Sequence, residues 1–217
     1  MDSPTQQIDM PPREQGRQEA KREFLELIKL AITFLLVFWV VKSFIIEGYE
    51  VLGESMSPTL EDGDRILVFK LPHELRKLSL FSGIQPFKET DIVVFEGAGR
   101  KRLVKRVIAF NPKGNTNKVD AQRLDTGDED AHLIKVEFDE GIVRVNDWQI
   151  DESAYLRESS KKTRDKKVCL LHPGEYYVLG DHRSVSRDSR SFNAISEEQI
   201  VGRALVRFWP LSKIKLL

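Results

Sequence analysis

Apolar residues are spread thinly along the chain except in one place. Residues 1–23 are polar, carry Pro4, Pro11 and Pro12 among several glutamines, and show no apolar period. Such a segment buries too little apolar surface to offset the entropy of ordering, so a disordered tail is expected. From 24 to 46 the composition turns apolar, and 30–41 is a run of twelve residues without a charge. Twelve helical residues rise about 18 Å, short of a hydrocarbon core of roughly 30 Å. All 23 residues rise about 34 Å, enough to span it with Lys29 and Lys42 snorkelling to the two interfaces. A buried core helix would carry a polar stripe, yet 30–41 is apolar on every side except at Thr33. A cleaved leader would end in a small-x-small site, which Phe44-Ile45-Ile46-Glu47-Gly48-Tyr49 does not offer. The segment 24–46 therefore reads as an uncleaved transmembrane anchor.

Charge orients it. Arg13, Arg17, Lys21 and Arg22 precede the anchor, whereas Glu47, Glu50 and Glu54 follow. The positive-inside rule puts the N-terminus in the cytoplasm and 47–217 on the exoplasmic side. A bacterial plasma membrane is expected, since acidic Asp2, Glu14 and Glu19 in the tail do not fit a transit peptide.

Beyond the anchor no helical period persists. Short β-branched and aromatic runs alternate with turn residues: 65–70 after Glu61-Asp62-Gly63-Asp64, then 91–95 and 103–108 around Gly97-Ala98-Gly99. Further runs occupy 142–145 and 148–150 around Asn146-Asp147, then 175–179 and 203–209. The pattern predicts a mostly β domain, either a sandwich or a folded, barrel-like antiparallel sheet. Ser196 with Gln199 three residues on predicts one capped helical turn. In 111–170, 24 of 60 residues are charged (40%, against 31% overall), which marks a solvated accessory β-lobe inserted into the main domain. Within it 161–167 reads as an exposed loop. The apolar stretch 78–87 is open to two readings, a contact with the lipid interface or an ordinary buried loop.

Composition then removes several kinds of chemistry. With 34 basic and 34 acidic residues the formal net charge is +0, so no global cationic field exists to hold nucleic acid. One cysteine, Cys169, cannot form an internal disulfide or a zinc cage, and four scattered histidines give no metal site. No cofactor is expected.

One reactive constellation stands out. Ser55, in Gly53-Glu54-Ser55-Met56-Ser57-Pro58-Thr59-Leu60, lies just past the anchor. A serine nucleophile needs a base. His182, in Gly180-Asp181-His182-Arg183, would make a Ser-His-Asp triad with Asp188; Lys105, in the apolar run 103–108, would make a Ser/Lys dyad. A lysine serves only when neutral, so its value of about 10.4 must fall by roughly three pH units, which burial can achieve. Arg102 and Arg106 remain protonated and cannot serve, and Lys101 adjoins the flexible Gly99-Arg100.

Four blocks in fixed order resemble the type I signal peptidases, membrane-bound Ser/Lys endopeptidases that remove signal peptides from exported preproteins. They are 53–60, then Gly63-Asp64-Arg65-Ile66-Leu67-Val68, then Lys105-Arg106-Val107-Ile108, then Gly180 to Arg183 continuing through Ser186, Asp188, Ser189 and Arg190. The resemblance covers 24–110 and about 170–217. It implies Ser55 as nucleophile and Lys105 as general base. It further implies that Ser186 hydrogen-bonds the Lys105 amine, and that Asp188 holds Ser186 and pairs with Arg190. Gly53 stands where some members carry an oxyanion-hole serine, so that hole would rest on backbone N–H groups, Ser55's included. The implied partners are signal-peptide-bearing preproteins and the bilayer, with the enzyme a monomer. Two alternatives stand beside it: a Ser/Lys processing protease of one secretion or conjugation system, and an inactive membrane-anchored β-domain adaptor.

Overall fold

Twenty-nine residues of helix, Pro12–Val40 (α1), open the computed structural model, which describes residues 12–70, 86–113 and 133–217. The helix takes in 12–23, so that stretch is helical where a disordered tail was expected. Its Gln, Glu, Ala, Lys and Arg residues are strong helix formers, and Pro12 stands in the first turn, where its missing N–H is tolerated. The window Lys21–Ser43 has a mean hydropathy of 2.3 and none of it is buried, which makes it long and apolar enough to cross a membrane. A π-helical turn, Val41–Ile45, follows.

Contacts separate Met1–Ser43 from a second unit, Phe44–Leu217. In that unit β1 (Ile46–Glu50), β2 (Arg65–Phe69), β3 (Ile92–Glu96), β4 (Arg102–Phe110) and β5 (Ile134–Asp139) come first. There follow β6 (Ile142–Val145), β7 (Trp148–Gln149), one helical turn α2 (Glu158–Lys161), β8 (Lys166–Leu171) and β9 (Glu175–Leu179). A second turn α3 (Ser189–Phe192), β10 (Ile195–Ser196), β11 (Ile200–Trp209) and β12 (Lys215–Leu216) complete it. All pairings are antiparallel. One sheet runs β1-β2-β11-β3-β4-β9-β10, with β12 on β11; the other runs β7-β6-β5-β8. The fold is mostly β, as the alternation predicts.

The larger sheet is folded over. In a flat sheet β1 and β4 would stand about 19 Å apart, four strand spacings, yet Arg102 Nη1 donates to Tyr49 Oη at 3.4 Å. Bulges in β11, against both β2 and β3, and in β4 against β9 supply the bending. Folding covers the central strands on both faces: Ile92 and Val94 of β3 join Val51, Met56, Leu60, Ile66, Val68 and Ala204. Val93 and Phe95 join Phe87, Val107, Tyr176, Val178, Ile195 and Ile200. A third cluster unites Ile108, Tyr177 and Leu179 of the large sheet with Val136, Phe138, Val143 and Leu171 of the small one. The accessory sheet thus shares a core with the main one.

Turn chemistry follows the sequence. Asn146 and Asp147 both have positive φ, 47° and 69°, which fits a tight hairpin turn. Ser196 N–H donates to Gln199 Oε1 at 2.8 Å ahead of a 3₁₀ turn. The exposed loop expected over 161–167 is narrower than read, because β8 already begins at Lys166. Of 78–87, only Pro86 and Phe87 are among the described residues, and Phe87 is fully buried.

Leu171→Ala tests the shared core. It should lower unfolding stability by about 2–5 kcal/mol, read by urea denaturation of the 44–217 unit within the full chain.

Candidate active site

Alternation along β4 sets Lys105 on an apolar face. Val93 of β3 stands directly opposite it, and Leu103 and Val107 share its side of the strand. Lys105 is only 3% exposed. β9 pairs with β4 only from Arg106 onward, so 102–105 bond to β3 alone and no described strand occupies their other edge.

Ser55 arrives on the loop between β1 and β2. That loop is tied at its base, with Val51 N–H donating to Asp64 O at 2.8 Å and Gly63 N–H to Val51 O at 2.9 Å. Val51, Met56 and Leu60 sink into the first core cluster and fix the loop on both sides of the serine. Gly53 has φ 85°, a conformation that favours glycine, and its N–H donates to Asp62 Oδ1 at 2.6 Å. The Ser55 N–H has no acceptor among the described residues.

The two elements meet. Lys105 Nζ lies 2.6 Å from Ser55 Oγ and donates to the Val104 carbonyl at 2.8 Å. Burial lowers the amine to about 8, against the opposing pull of the Asp188 and Asp181 carboxylates. A neutral amine has two N–H groups and one lone pair; with one N–H on Val104 O, the lone pair is available to the hydroxyl proton.

The loop 180–190 braces this pair. A Cβ on Gly180 would stand 2.2 Å from Ser186 Oγ and 2.4 Å from Ser55 O, so only glycine allows this approach. His182 N–H donates to Ser55 O at 3.1 Å. Asp181 receives Arg106 Nε at 2.8 Å and Nη2 at 2.6 Å, together with Thr59 Oγ1 at 2.5 Å. Asp188 receives Gly180 N–H at 3.1 Å, and Arg190 Nε and Nη2 at 2.8 and 2.9 Å.

The structure brings Ser55 and Lys105 together, with Gly53 in the loop that carries the serine and Asp188, paired with Arg190, in the loop 180–190 that packs against it. Ser186 does not bond the Lys105 amine. Its Oγ is buried against Gly180 and has no partner among the described residues. Its backbone is held by Ser186 N–H to His182 O at 3.0 Å and by Arg190 Nη2 to Ser186 O at 3.2 Å. Nor does Asp188 hold Ser186, because its oxygens are taken by Gly180 and Arg190. The Ser-His-Asp arrangement is not formed either: His182 Nδ1 is buried without a partner, and Asp188 pairs with Arg190.

Arg106, Asp181 and Thr59 were missed as site residues. The one available signal was an arginine inside an apolar strand, which needs a buried carboxylate somewhere in the chain. Among the described residues no group of three or more His, Cys, Asp or Glu is placed to hold a metal ion.

Residues 24–209 match the family model described as signal peptidase, peptidase S26. Signal peptidase IB of Staphylococcus aureus is 32% identical over 198 residues, covering 90% of this chain and 94% of the relative. Signal peptidase I of Bacillus caldolyticus is 30% identical over 185 residues, covering 80% and 85%. A crystal structure of a signal peptidase I from Enterococcus faecalis V583 aligns at TM-score 0.38 and 21% identity, over 56% of this chain and 98% of that one. The chain belongs to the signal peptidase S26 family, whose members are serine endopeptidases.

Gly180→Ala should displace Ser55 and slow its labelling by an acylating probe about a hundredfold, while circular dichroism of the variant stays that of the wild type.

Proposed function

We propose that this protein is a membrane-bound signal peptidase that cleaves signal peptides from exported preproteins through a Ser55/Lys105 dyad. The observation carrying it is the 2.6 Å approach of a buried lysine amine to a serine hydroxyl. Lys105, neutral in its dry setting, takes the Ser55 proton as Oγ attacks the scissile carbonyl. The resulting ammonium gives that proton to the leaving amine, and an acyl-enzyme on Ser55 remains. Water, deprotonated by the same amine, then attacks the ester and restores Ser55. The unpartnered Ser55 N–H is a donor for the developing oxyanion.

The substrate segment binds extended. The unpaired edge of 102–105 in β4 ends at the general base, so a peptide added to it as a strand delivers its scissile bond beside Ser55. The family's preproteins present such a segment at the membrane surface, and Ser55 follows the apolar span Lys21–Ser43 by twelve positions. The charge asymmetry around that span favours a cytoplasmic N-terminus and an exoplasmic catalytic unit. The reading takes the enzyme as a monomer in contact with lipid.

Ser55→Ala and Lys105→Ala should each cut preprotein cleavage by at least about 10³-fold while the protein stays folded and membrane-bound. Wild-type cleavage by Lys105→Ala would contradict the dyad. Because the working form of Lys105 is the unprotonated one, kcat/KM should rise about tenfold per pH unit below the value of about 8 and level off above it. A rate that falls over that range would point to a different base.

A further inference from the structure

The small sheet and the segment 150–165 that joins β7 to β8 contribute nothing to the Ser55–Lys105 pair, yet they grip the loop 180–190 at several points. Glu152, 4% exposed, is the hub. Its carboxylate accepts from Arg183 Nη1 at 3.1 Å, Arg183 Nη2 at 2.5 Å and Tyr155 Oη at 2.7 Å. Arg183 is itself 1% exposed. Its Nε donates to Gly180 O at 3.0 Å and its N–H to Ser160 O at 3.1 Å. Gly180 is the residue packed against the Ser55 carbonyl. On the other side the Tyr155 ring lies 4.1 Å from the Arg106 guanidinium, which clamps Asp181. Arg190 receives its own support from the small sheet, 4.8 Å from the Phe138 ring and 2.7 Å from Asp165 Oδ2.

A buried ion pair of this kind adds little net stability compared with apolar packing, because both charges lose their water. What it fixes is geometry, since each oxygen and each N–H has one place to go. Glu152 links both flanks of Gly180-Asp181, through Arg183 on one side and Tyr155 and Arg106 on the other. We infer that the accessory lobe is the positioning element of the active site, and that Glu152 is the positioning residue holding Gly180 against Ser55. The inference rests on the Ser55/Lys105 reading.

Glu152→Gln keeps the shape and removes the charge. In the full-length chain, assayed in detergent with a signal-peptide substrate, kcat should fall about tenfold or more and KM should change by less than about twofold. The acid limb of kcat/KM should move to higher pH as water reaches Lys105, whose facing charges are Asp188 and Asp181. Glu152→Asp should recover part of kcat. A Glu152→Gln protein that melts earlier but keeps wild-type kcat and limb overturns the inference, because the pair is then structural only. If Glu152→Gln does not fold, Asp165→Asn decides, since Asp165 is 56% exposed and its loss cannot unfold the core. It should lower kcat about two- to threefold, and unchanged kcat and limb overturn the inference. Failure of the dyad reading shows separately, as wild-type cleavage by Lys105→Ala whatever the Glu152 variants do.

Discussion

The proposed chemistry depends on one amine being kept dry. Lys105 sits on the apolar face of β4 opposite Val93 and is almost wholly shielded from water. Holding it near 8 instead of 10.5 corresponds to about 3 kcal/mol of disfavoured charge. That burden on folding is full below about 8, shrinks as pH rises from there, and vanishes above about 10.5, where the unfolded chain has also lost the proton. The rest of the unit carries it: three apolar clusters surround the strand that bears the lysine. Asp188 and Asp181 stand close enough to pull the amine back toward its charged form, and each is already engaged by an arginine.

That engagement explains an otherwise costly arrangement. Arg106–Asp181, Arg183–Glu152 and Arg190–Asp188 are three arginine–carboxylate pairs buried around one short loop. Replacing such pairs with apolar residues often leaves a fold as stable or more so, which argues that their use here is positional. Bidentate geometry defines where Gly180, Asp181 and Asp188 must lie, and Gly180 in turn defines where Ser55 lies. The bent sheet provides the frame: β9 stops at Leu179, and the chain leaves the sheet at the point where β4 delivers Lys105.

The proposed dyad stands on local signals, a serine in a turn-rich block and a lysine inside an apolar strand, and the two side chains lie 2.6 Å apart. Legible in the sequence were the central strands β2, β3, β4, β9 and β11, whose residues alternate or are buried on both faces. β1, Ile46–Glu50, was not: it reads as the end of the anchor followed by glutamates, and it becomes a strand through its register with β2. β8 begins with two lysines and was hidden by its charge. Helix over 12–23 follows the propensity of its Gln, Glu, Ala, Lys and Arg residues, a signal that its polarity masks. Ser186 Oγ, expected to bond Lys105, packs against Gly180 without a partner among the described residues, a placement that no sequence spacing encodes. Glu152 with Arg183 and Arg106 with Asp181 are 31 and 75 positions apart, and such partners become visible only once the strands have brought them together.

The central claim concerns a proton, so it is best tested by watching that proton. Selective ¹⁵N labelling of the lysine side chains, with Lys105→Arg identifying the resonance, allows the Nζ of Lys105 to be titrated in the resting protein. The account predicts a midpoint near 8. A midpoint at the ordinary lysine value of about 10.4, in a protein that is folded and cleaves, would contradict it.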